Sequence, residues 1–239
     1  IDASGETTRS RFFPAVMRSA ARLTYNQVWQ AVGQRRPEVL EKLAAVLPHL
    51  ENLYGLYKIL VHRRTERGAL DFEGQEVKFQ FDEQGQIDAV KLYERNDAHR
   101  MIEECMIAAN VAVAKFLKRS RVPALYRVHP RPPTHKYEEL ADFLGTVGIV
   151  LPSYEDLQPE DLMAILARAK SRPDGALIEA VVLRSQSLAT YTADCDGHFG
   201  LALGAYAHFT SPIRRYPDLL VHRAIHHALG KRTDRKSVV

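Results

Sequence analysis

The stretch RNDAHRMIEECMIAANVAVAKFL, Arg95 to Leu117, constrains the fold more than any other part of the chain. At about 3.6 residues per turn it reads as one helix, capped by Asn96 or Asp97 and running to about Lys118. Met101, Cys105, Ala109, Ala112 and Phe116 share one face, with Val113 at its edge, while Asn96, Arg100, Glu103 and Asn110 fall on the opposite one. Ile107 and Ala114 fall on that second face as well, so the middle of the helix has no side suited to water. The pattern therefore predicts a helix enclosed all round by other elements. Asn110, and with it Glu103, then needs partners, because an unsatisfied buried polar group costs about 1–3 kcal/mol.

The neighbouring patterns supply the enclosing elements. Arg11 to Val16 reads as a strand and Tyr25 to Val32 as a short helix. A helical period runs from Glu38 to about Glu66, divided at Pro48 and stopped by Gly68. Val77, Phe79 and Phe81 alternate, a DEQG turn follows, and Ile87 to Tyr93 returns, which is the pattern of a hairpin. Ala124 to Val128 reads as a strand, and helices are expected over Thr134–Thr146, Pro159–Ala169 and Asp174–Ala189. Gly197 to Thr210 is glycine-studded with short strand signals, and a last helix starts near Pro217 and runs to Leu229. The expectation is a helix-rich α+β fold around one core.

Composition sets the outer bounds. The 239 residues are 46% hydrophobic and 26% charged, an ordinary globular balance, and no apolar run approaches the roughly 18 residues of a membrane span. No basic start followed by an apolar core marks a secretory signal. The formal charge of +4 only mildly favours an acidic partner. Cys105 and Cys195 have no metal-ligand spacing and read as reduced thiols of a cytoplasmic protein.

Two segments could carry chemistry. In HFGLALGAYAHFTSPIRRYPDLLVHRAI, His198 to Ile225, Ser211-Pro212 is expected to open a helical turn and Pro217 the longer helix. Free N–H groups at such starts attract anions, and Arg214 and Arg215 add planar guanidinium forks that suit a phosphate. The competing reading makes both arginines surface residues paired with Asp218. In the Arg95–Leu117 helix, Glu103 could accept hydrogen bonds from ribose hydroxyls or form an ion pair with Arg95 or Arg100. Tyr25 and Phe72 could stack bases or belong to the core. Asp194 and Asp196 have the spacing of a carboxylate pair but read as a solvated turn, and His222 with His226 is a weak metal pair.

Five strings, RSAARLTYNQVW, ERGALDFEGQEVKF, RNDAHRMIEECMIAANVAVAKFL, ALYRVH and the His198–Ile225 segment, occur in an order that resembles the catalytic (RNB) domain of the RNase II/RNase R family of hydrolytic exoribonucleases. The resemblance spans about Phe12 to Leu229. It implies an RNB-type α+β domain that takes single-stranded RNA 3′ end first and releases nucleoside 5′-monophosphates. It implies that Arg214 contacts phosphates at the cleavage site, that Arg215 and Ser211 bind RNA beside it, that Tyr25 and Glu103 handle the terminal ribose, and that Phe72 stacks on the last base. A monomeric, cytoplasmic enzyme with no membrane partner is expected.

The family also implies Mg²⁺ held by aspartates in a DxxDxDD-like string, and this sequence has no such string. No metal ligand is therefore expected within it; the N-terminal part of the domain is expected to be missing, and the 239 residues alone to be inactive as a nuclease. Residues 1–232 are expected to form a partial RNB domain. The tail 233–239, TDRKSVV, fits neither the family nor a continuing helix and is expected to be non-native. A catalytically silent RNA-binding paralogue is the alternative.

Overall fold

Residues 1–72, 76–93 and 95–230 are described by a computed structural model. Helices carry most of it: α1 (Tyr25–Val32), α2 (Pro37–Lys42), α3 (Leu47–Glu66), α4 (Asp97–Ser120), α5 (Thr134–Thr146), α6 (Pro159–Ala169), α7 (Gly175–Ser185) and α8 (Tyr216–Ala228). Two small antiparallel sheets accompany them, β1 (Glu76–Phe81) with β2 (Ile87–Tyr93), and β3 (Tyr126–Val128) with β4 (Thr190–Thr192). The fold is thus helix-rich α+β, as the periodicities require. Among the described residues no helix is long and apolar enough to cross a membrane.

Local chemistry explains most boundaries. Thr24 caps α1 through a reciprocal box in which its hydroxyl accepts from the Gln27 N–H and the Gln27 side chain accepts from the Thr24 N–H. Asn96 caps α4, its side-chain oxygen accepting from the Ala98 N–H at 3.1 Å. The break in the 38–66 period falls at residues 43–46, ahead of Pro48, because a proline is tolerated in the first turn of α3, where its missing N–H would have had no intrahelical acceptor. Gly68 ends that run at φ +70°, and a Cβ there would lie 2.8 Å from the Glu160 backbone, so only glycine lets the chain pass α6. The hairpin forms with Phe79 opposite Val90 and a bulge between Gln80 and Phe81.

Two expectations about regular structure change. Arg11–Val16 adopts no strand; Phe12 packs on Phe116 at 4.7 Å, while Phe13 and Val16 are exposed, so among the described residues nothing supplies the ladder a strand needs. The expected helix 174–189 ends at Ser185, where Gln186 turns to an extended conformation and its side-chain amide donates to the Val182 carbonyl.

The chain groups into two compact units built from interleaved segments. One takes Ile1–Ala15, Ile59–Asp71 and the chain from Cys105 onward; the other takes Val16–Lys58 and Phe72–Glu104. The first unit packs Val113, Ala114 and Leu117 of α4 against Tyr126, Val128, Ala205, Ala207 and, from α8, Val221, Ala224 and Ile225. Helices α5, α6 and α7 of the same unit bury Leu140, Leu144, Leu162, Ile165, Ile178 and Val182. In the second unit, the Tyr54 and Tyr57 hydroxyls both hydrogen-bond Asp97, and burial beside that carboxylate pushes the Tyr57 phenol up to about 12.

Helix α4 is enclosed as expected, with no exposed residue from Ala98 to Ala114. Its deepest stripe differs from the predicted one: Ala98, Met101, Glu104, Ile107, Asn110, Val113 and Leu117, with Ala114 beside Val113, are the buried positions. An i, i+3 run drifts around a helix, and where neighbours cover every side the apolar count of one face no longer selects the deepest one.

Candidate functional site

The SPIRR loop is organised by a residue outside it. Asp218, in the first turn of α8, is 0% exposed. Its Oδ2 accepts the Ser211 N–H at 2.8 Å and the Arg215 Nη2–H at 2.9 Å, and its Oδ1 accepts the Arg215 Nε–H at 2.9 Å. This two-pronged guanidinium–carboxylate fork is directional and charge-assisted, and it closes the loop on itself. Ser211 does not cap a helix starting at Pro212, as the dipeptide suggested. Residues 212–214 form a turn, with the Arg215 N–H donating to the Ser211 carbonyl at 3.0 Å, and α8 starts at Tyr216. The Ser211 N–H is consumed by Asp218 and is not an open anion donor.

The two arginines therefore separate. Arg215 is committed to Asp218 with its side chain 24% exposed. Arg214 is exposed, and its guanidinium makes no hydrogen bond or ion pair among the described residues. Ile213 and Tyr216 on either side are also exposed.

The loop is anchored to the core through Asn110, 2% exposed, whose amide donates to the Tyr206 hydroxyl at 3.0 Å and whose carbonyl accepts the Phe209 N–H at 3.0 Å. The expected demand of a buried amide for partners is thus met by the segment that leads into Ser211. A ladder of rings runs alongside: His129 stacks on His198 at 4.9 Å, His198 meets Tyr206 edge-on at 5.4 Å, Tyr206 meets His208 at 5.6 Å, and His208 Nδ1 lies 2.7 Å from the Tyr191 hydroxyl. His129 Nδ1 accepts the Gly200 N–H, and His198 Nδ1 accepts the Leu201 N–H. Burial, with His129 and Arg127 nearby, pushes His198 down to about 3; burial and then Arg215, with Arg127 and Arg214 behind it and Asp218 opposing, push His208 down to about 4. These rings are neutral at physiological pH. The sequence motifs do not single these rings out; the one local signal is the alternation of Tyr206 and His208 in AYAHF.

In the second unit, Tyr25 opens α1 and stacks on His99 of α4 at 4.0 Å, with 46% of its surface exposed. Glu103 lies one turn further along α4 from His99, and Asn26 accepts from the Asn96 amide at 3.1 Å. Glu103 is half-buried rather than enclosed and is paired with Arg95, while Glu104 is the buried carboxylate of the IEE string, 5% exposed. The deep position expected for Glu103 thus belongs to Glu104. Phe72 is half-buried at the start of the same unit's second segment.

Metal chemistry finds no seat here. Among the described residues no group of three or more His, Cys, Asp or Glu is close enough to hold an ion. Asp194 and Asp196 stand exposed in a turn, His222 Nε2 is engaged by the Phe209 carbonyl at 3.0 Å, and Asp218 is saturated by Arg215 and Ser211. The described side chains do not fit Mg²⁺; residues 73–75, 94 and 231–239 lie outside the described part.

Ribonuclease R of Escherichia coli strain K12 is 43% identical over 231 residues, covering 97% of this chain, and that of Aquifex aeolicus is 40% identical over 229 residues, covering 95%. The chain spans 28% and 32% of the length of these relatives. The structure of Mycoplasma genitalium RNase R in complex with ribose methylated single-stranded RNA superposes with a TM-score of 0.77 at 27% identity, over 89% of this chain and 34% of that one. The profile of the RNB domain matches residues 1–231, and the chain accordingly belongs to the RNB domain family.

Proposed function

We propose that this chain is the strand-gripping part of a 3′→5′ exoribonuclease that hydrolyses single-stranded RNA to nucleoside 5′-monophosphates. The observation that carries the reading is Arg214: an exposed guanidinium without a partner among the described residues, on a loop whose other arginine is spent on holding it still. A preorganised cation of this kind stabilises charge as it develops on a phosphoryl group, without reorganising at the moment of reaction. Arg215 and Ser211 serve RNA through the loop geometry they fix with Asp218. Tyr25 and Glu103 are assigned to the terminal ribose and Phe72 to the last base. Family membership and the RNA-bound Mycoplasma genitalium relative support the substrate class.

Magnesium-dependent hydrolysis, a monomeric enzyme and a cytoplasmic location belong to the same reading. The ion's ligands are assigned outside the described residues. In the full-length gene product, Arg214→Ala is expected to lower the rate of 3′-end hydrolysis by about 10²–10³-fold while RNA affinity falls far less. Equal losses in rate and affinity would reduce Arg214 to a tether and overturn its catalytic role.

A further inference from the structure

The ring ladder ends next to the SPIRR loop at His208, whose Nε2 makes no hydrogen bond among the described residues. A phenol is a better donor than acceptor, so at 2.7 Å the Tyr191 O–H is given to Nδ1, and the ring's own proton sits on Nε2. Tyr206 and Tyr191 pack edge-on against the ring at 5.6 Å each, which fixes its plane. The Arg127 guanidinium lies 4.7 Å from the Tyr191 ring centroid and makes no ion pair among the described residues. The one carboxylate acting on His208, Asp218, is already neutralised by Arg215.

An N–H donor that feels two cations without ion-pair partners among the described residues, Arg127 and Arg214, is arranged for an anion. We propose that His208, oriented by Tyr191, is a further substrate-contacting residue, donating Nε2–H to a phosphodiester oxygen of the RNA strand beside Arg214. The contact deepens the exoribonuclease reading and rests on it for the identity of the strand. The ring stays uncharged at neutral pH because burial and the three arginines oppose its protonation, so it adds a donor without repelling its neighbours.

The test uses the full-length protein and a single-stranded oligoribonucleotide, with binding measured in EDTA and turnover in magnesium. His208→Phe keeps an aromatic ring against Tyr206 but removes the donor; His208→Gln restores an N–H. His208→Phe is expected to lose about tenfold or more in affinity and in kcat/KM at an unchanged melting temperature, and His208→Gln to recover most of it. Tyr191→Phe, which frees the ring to turn, is expected to fall between. A methylphosphonate placed singly along the strand should cost the wild type affinity at one linkage and cost His208→Phe less there. Wild-type binding by His208→Phe, or His208→Gln as weak as His208→Phe with both melting early, would overturn the contact. Because affinity is read without turnover, a wild-type protein that binds but releases no monophosphates would sink the nuclease reading while the His208 contact is still decided by the variants.

Discussion

Asp218 is the position where the loop's architecture is most exposed to a single change. Asp218→Ala leaves the Ser211 N–H and the Arg215 guanidinium without their acceptor and opens a small void at a site that is 0% exposed. Breaking a buried ion pair from one side costs about 3–5 kcal/mol. Arg215 is 24% exposed and regains some water, which reduces that figure, while the stranded amide adds about 1–3 kcal/mol. The expected loss is about 3 kcal/mol, and Asp218→Asn, which keeps an acceptor oxygen but no charge, should lose roughly half as much. Urea unfolding followed by circular dichroism reads these values. The coupling is checked by a double-mutant cycle with Arg215→Ala, whose cost should largely be contained within that of Asp218→Ala. In the full-length protein, Asp218→Ala should also slow hydrolysis nearly as much as Arg214→Ala, though Asp218 itself offers RNA nothing. An unfolding loss under about 1 kcal/mol, or strictly additive single costs, would refute the view that this carboxylate holds the loop.

Acid should weaken the first unit through its neutral imidazoles. His198 and His208 titrate at about 3 and about 4 when folded, below the usual 6.5, so the stability they contribute is full above pH 6.5 and is lost as pH falls toward those values. With partial exposure allowed for, each ring accounts for about 1–2 kcal/mol between pH 7.5 and pH 5, and equal urea midpoints at the two values would contradict this. Tyr25→Ala and Glu103→Ala in the full-length protein should each relax discrimination against a deoxyribose 3′ end, measured as the ratio of RNA to DNA-ended cleavage; an unchanged ratio would remove them from that role.

The elements that were legible in the sequence are those fixed by local chemistry. Thr24 with Gln27, the DEQG turn and Gly68 each mark a boundary through a bond or a φ value that needs no distant partner. What was not legible depended on contacts across the chain. The depth of Glu104 over Glu103 is set by what packs on α4, and adjacent residues on a helix point about 100° apart, so a modest error in the buried direction exchanges them. Ser211-Pro212 carried a good local signal for a helix start, yet Asp218, seven residues on, captured the serine N–H and made the segment a turn. The same capture settles what Arg214-Arg215 left open, since two identical side chains in sequence cannot reveal which will be spent on structure. The buried carboxylate takes the one at i−3 on its own helix start and leaves the other to solvent. The exposed Arg214 cation and the neighbouring His208 ring are thus products of a packing decision made in the core, by way of Asn110, Tyr206 and Asp218, and a chain that loses that core should lose this arrangement before it loses its helices.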